Sequence, residues 1–123
     1  MMVAGFDMVG KITVMSTMIQ EINPIEAVAM QNPSSKTVFL DVREAPELAI
    51  CRIEGAQHVA MSELATQFAA IPQDRPVIVF CHHGMRSRQV IQFLQSQGYD
   101  KLINLEGGIH AWAQEVEPTM ATY

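Results

Sequence analysis

The chain has 123 residues, enough for one domain with its own core and too few for two of ordinary size. Its composition, 49% hydrophobic and 17% charged, is that of a globular protein, and a net charge of -5 argues against a chain-wide nucleic-acid footprint. Two cysteines, Cys51 and Cys81, are too few for a disulfide scaffold and fit a reducing, cytoplasmic setting, while no apolar run is long enough to span a bilayer.

Met1 to Met15 is apolar and methionine-rich, but Asp7 precedes Lys11, so the basic start of a signal peptide is missing. Residues 1–16 read as a peripheral or disordered extension. The alternative is a start codon set upstream of the real one, with Met15 or Met18 in its place. Residues 17–123 read as one domain without repeats or linkers. Met18 to Ile22 suits a short strand. Asn23-Pro24-Ile25-Glu26 then signals a helix start, with Asn as cap, Pro in the first turn and Glu three residues after the cap. Asn32-Pro33-Ser34-Ser35 is a turn cluster. Thr37 to Val42 is a continuous apolar run of the kind buried on both faces of a parallel sheet. Pro46 to Cys51 suits a short helix, Ala56 to Val59 a brief strand, and Ser62 to Ala70 a helix closed by Pro72. Pro76 to Phe80 is the strongest strand signal and runs straight into Cys81. Arg86 to Gln97 carries Val90, Ile91, Phe93 and Leu94 at helical spacing, with Gly98 as the stop. Leu102 to Leu105 is a further strand. Gly107-Gly108 follows, then an amphipathic helix with Ile109, Trp112 and Val116, ended by Pro118. Strands alternating with helices imply an α/β fold, with helices flanking a mostly parallel sheet of about five strands.

The chemistry concentrates at Cys81-His82-His83-Gly84-Met85-Arg86-Ser87. Cys81 stands between a buried strand and a helix start, at the carboxyl sheet edge where α/β proteins bind ligands. Backbone N–H groups of such a junction, with the helix N-terminus, favour negative charge and so a thiolate nucleophile. Gly84 permits the tight turn, Arg86 and Arg88 add positive charge, and Ser87 supplies a hydroxyl or a cap. An inert, packed cysteine is the plain alternative, but these polar neighbours make a poor apolar environment.

Three segments in this order resemble the single-domain rhodaneses: Asp41-Val42-Arg43-Glu44, then Cys81 to Ser87, then Asn104-Leu105-Glu106-Gly107-Gly108 with Trp112. The resemblance runs from about Met18 to Trp112. It implies a three-layer rhodanese-like domain and a thiosulfate sulfurtransferase in which Cys81 carries a persulfide. The resemblance also implies that backbone amides from His82 to Ser87 hold the persulfide anion, with Arg86 bracing the loop or touching substrate. Donor and acceptor are expected to be small sulfane compounds and thiols, with a thioredoxin-like or sulfur-relay protein as an acceptor of the second kind. No cofactor, metal, membrane or nucleic acid is expected, and the chain reads as a monomer or weak homodimer.

Other residues take supporting roles on this reading. Asp41 either holds the loop or pairs with Arg43, Arg43 and Glu44 line the pocket rim, and Glu47 braces Arg86. With Met85 uncharged, affinity for a doubly charged donor falls to His82, His83 and Arg88. Relatives commonly carry Gly-His where this chain has Cys51-Arg52; Cys51 reads as a packed residue at a helix end, or else as a resolving thiol, and Arg52 as surface. His58 is expected to be structural, His110 exposed, Trp112 in the core. Phosphatase or arsenate reductase activity is disfavoured: cysteine phosphatases share the architecture but need a longer loop, and they carry arginine where this chain has Ser87. A redox-sensing or sulfur-carrying binding module is the competing class. A metal held by Cys81, His82 and His83 with His58 or Cys51 is disfavoured, because adjacent residues in a tight loop seldom face one ion.

Overall fold

A computed structural model describes residues 18–123; the expectations for residues 1–16 lie outside them. Five strands form one wholly parallel sheet: β1 (Gln20–Ile22), β2 (Val38–Asp41), β3 (Gln57–His58), β4 (Val77–Phe80) and β5 (Leu102–Leu105), in the order β1-β5-β4-β2-β3. Five α-helices connect or flank them: α1 (Pro24–Val28), α2 (Ala45–Leu48), α3 (Leu64–Gln67), α4 (Met85–Ser96) and α5 (Gly108–Glu115). None is long and apolar enough to cross a membrane.

The continuous apolar runs divide by strand alternation. Val77, Val79 and Cys81 pack on one face with Leu64, Val90, Ile91 and Leu94, against α3 and α4. Ile78 and Phe80 pack on the other with Ala27, Ile109 and Trp112, against α1 and α5. Central strand β4 is therefore buried along its whole length, which is why it reads as unbroken hydrophobicity rather than as alternation. Trp112 is core, edge-on to Phe39, and its indole N–H donates to Glu117.

Local signals set several boundaries. Asn23 caps α1 by accepting from the Glu26 N–H at 2.8 Å, as its sequence indicates. The 62–70 stretch is not one helix. It splits into 3-10 turns at Met61–Glu63 and Phe68–Ala70 around α3. The Tyr99 hydroxyl binds the carbonyls of Phe68 and Ile71, and the Gln57 amide binds that of Ala70, drawing this backbone away from regular helix. Likewise α2 stops at Leu48 rather than reaching Cys51, because the Cys51 carbonyl is turned to the Arg43 guanidinium at 2.8 Å.

Candidate active site

β2 and β4 are neighbours, with Asp41 in register with Phe80. The Asp41–Glu44 segment and the Cys81 loop thus leave the sheet side by side at its carboxyl edge. Cys81 is 1% exposed. Its sulfur accepts the Gly84 N–H at 3.0 Å. Gly84 caps α4 at φ +112°, a backbone region that glycine enters without steric cost. The sulfur therefore sits against the positive end of a twelve-residue helix.

Ser87 is buried on the first turn of α4, with Oγ 3.4 Å from Cys81 Sγ. Its hydroxyl donates to Asn104 Oδ1 at 2.6 Å, and Asn104 Nδ2 donates to Glu21 Oε2 at 2.8 Å. A row of hydrogen bonds thus joins the sulfur to β5 and then to β1. Arg88 ends the row on the same Glu21 oxygen at 2.8 Å. This exposed pair directs the Arg88 side chain to β1.

Glu47 reaches the loop from α2. Its carboxylate takes Arg86 in a bidentate pair, at 2.7 and 2.8 Å, and also accepts the Tyr123 hydroxyl and the Glu44 N–H. These bonds, Arg86 foremost, hold the Glu47 carboxyl at about 2 against the opposing effect of burial. Arg86 is raised in turn by the same carboxylate. Within this geometry Arg86 braces the loop, and Met85 beside it is exposed.

Arg43 is not at a rim. It is fully buried and pairs with Asp41 at 2.8 Å, which decides between the two roles open to Asp41. Its remaining donors reach the carbonyls of Glu47 and Cys51 and the Tyr123 hydroxyl. Burial works against its charge, and the bonds to Asp41 and Tyr123 outweigh that effect and raise it. The pair is a staple beneath α2, so Glu47 stands on a rigid base. Glu44 binds Ser62 and His58 binds the Arg43 carbonyl at 2.7 Å, both structural contacts. Cys51 is half-buried against the core, with no disulfide, and Arg52 is exposed.

The third wall is the start of α5. Ile109 and His110 donate their N–H groups to the carbonyls of Cys81 and His82 at 2.9 and 3.1 Å. Gly108, at φ +63°, makes that approach possible: a Cβ there would lie 2.6 Å from the Cys81 carbonyl oxygen and closer still to that of His82. His110 is not exposed as expected, because this docking sets it half-buried beside His82 and His83. The His82 ring stacks on Tyr123 at 3.8 Å. Burial, then the neighbouring His83 and His110, push His82 down from its ordinary value. Sequence reasoning assigned no site role to Asn104, Glu21, Gly108 or Tyr123. A signal did exist for the first: an asparagine inside a buried strand must find hydrogen-bond partners.

The rhodanese-like domain family model matches residues 24–115. A sulfurtransferase of Allochromatium vinosum is 35% identical over 105 residues, covering 85% of this chain and 97% of its own. The thiosulfate sulfurtransferase GlpE of Pseudomonas fluorescens is 37% identical over 93 residues, covering 76% and 84%. A rhodanese-related protein from Thermoplasma volcanium has a crystal structure that superposes with a TM-score of 0.71 at 31% identity, over 80% of this chain and 95% of its own.

Proposed function

This chain belongs to the rhodanese-like domain family, and we propose that it is a sulfurtransferase working through a persulfide on Cys81. The observation that carries the reading is the Cys81 sulfur held at the carboxyl end of the central strand, on the Gly84 N–H and the α4 N-terminus. The names of the relatives support it.

In the first half-reaction the Cys81 thiolate attacks the outer sulfur of a sulfane donor such as thiosulfate. A Cys81–sulfur bond forms, the donor S–S bond breaks, and sulfite leaves with the electron pair. In the second, an acceptor thiolate or cyanide attacks the outer sulfur, and Cys81 departs as thiolate. Donor and acceptor alone balance both steps, so no cofactor is required. The loop's task is to stabilise negative charge on sulfur with donors already in place. The Ser87 hydroxyl lies 3.4 Å from the sulfur and is itself fixed by its bond to Asn104. The Gly84 N–H serves the thiolate. Thiol acceptors include a thioredoxin-like or relay protein, and bulk access is narrow because Cys81 is almost wholly covered.

Mass spectrometry after thiosulfate treatment tests the reading. One added sulfur on Cys81 is expected, with none in Cys81→Ser and turnover largely retained in Cys51→Ser. Full turnover in Cys81→Ser overturns the mechanism. No adduct from thiosulfate, a thiol persulfide or mercaptopyruvate would replace it with a redox-sensing module.

A further inference from the structure

Among the described residues, one group of three metal-ligating side chains lies within reach of a single ion: His82, His83 and His110. One ligand nitrogen from each lies within 4.8 Å of the other two. Two come from the Cys81 loop and one from the first turn of α5. The close approach at Gly108 and the hydrogen bond from the His110 N–H to the His82 carbonyl bring them together. Ring centroids are 3.9 Å apart for His82–His83 and 4.9 Å for His83–His110.

Packing alone does not account for this arrangement. His82 Nε2 and His110 Nδ1 are buried and have no hydrogen-bond partner, although buried ring nitrogens are normally paired. Stacking on Tyr123 holds the His82 ring in place, while His83 is exposed and gives an ion its way in. Imidazole nitrogens suit zinc, copper and nickel, and a three-histidine set leaves a coordination position open. We infer that His82, His83 and His110 form a binding site for a divalent first-row transition-metal ion of the zinc type. The ion would tie the two residues after Cys81 to α5, and so stabilise the loop that holds the sulfur. This inference does not depend on sulfur transfer.

The test uses the full chain without an affinity tag, in a Cys51→Ser/Cys81→Ser background that removes both thiols. Zinc is titrated against a chromogenic chelator, and thermal melting is followed with and without zinc. About one equivalent per chain is expected, with a zinc-dependent rise in melting temperature. His110→Gln and His83→Gln should each weaken binding by roughly tenfold or more and remove that rise. Should His110→Gln fold poorly, the exposed His83 carries the same test. Binding unchanged by either substitution, or absent from the background without thiols, would overturn the site. Persulfide formation is read in the parent with Cys81 intact, so failure of one claim leaves the other standing.

Discussion

Gly108→Ala is the sharpest perturbation of the candidate site, because it adds one methyl group and touches no reacting atom. The added Cβ would lie 2.6 Å from the Cys81 carbonyl oxygen and still closer to His82. Both obstacles are backbone, so no side chain can swing aside. The φ of +63° adds a penalty of about 1–2 kcal/mol for a residue with a Cβ. Relief requires α5 to retreat, which loses the Ile109–Cys81 and His110–His82 hydrogen bonds, about 1 kcal/mol each. A total near 3–4 kcal/mol follows. Gly98→Ala is the control: its φ is +97°, with nothing within 4 Å of the added Cβ, so it carries the backbone penalty alone. In urea denaturation Gly108→Ala should be the more destabilised of the two, by up to about 2 kcal/mol, because the hydrogen bonds between α5 and the Cys81 loop are lost only there. Persulfide formation should fall in Gly108→Ala and hold in Gly98→Ala. Equal stabilities, or a Gly108→Ala protein with parental sulfur uptake, would refute the claim that α5 positions the loop.

Two further substitutions probe the other walls. Glu47→Gln should cost about 1 kcal/mol at neutral pH, a value kept low because a third of the Arg86 side chain remains in water. The Glu47 carboxyl is lowered from 4.5 to about 2, so its contribution is fully present above pH 4.5 and lost as the pH falls toward 2. The stability gap between parent and Glu47→Gln should close across that window, and a gap that stays constant would contradict the pairing. Asn104→Ala strips Ser87 and Glu21 of a buried partner and should cost about 2–4 kcal/mol in chemical denaturation, with slower persulfide formation. A cost below about 1 kcal/mol would mean that the row from sulfur to β1 is not a structural unit.

Much of the fold was legible in local pattern. The unbroken run before Cys81 implied a strand covered on both faces, and β4 is buried by α3 and α4 on one side and by α1 and α5 on the other. A strand running into glycine and then a helical pattern placed Cys81 at the sheet's carboxyl edge. Motif order likewise named the family. The partners of each site residue were not legible. Glu47 meets Arg86 across 39 positions, Asn104 meets Glu21 across 83, and Arg43 meets Tyr123 across 80. Periodicity reports which face a residue takes on its own element and says nothing of what stands opposite. The strand order β1-β5-β4-β2-β3 decides that. It sets Asn104 and Glu21 beside the Cys81 loop on one side and α2 with Glu47 on the other. It also turned Arg43 from a supposed rim residue into a buried staple and His110 from a surface residue into a third histidine of the loop. The loop's composition was written in the sequence, whereas its bracing depends on side chains that only the packed sheet brings within hydrogen-bond distance.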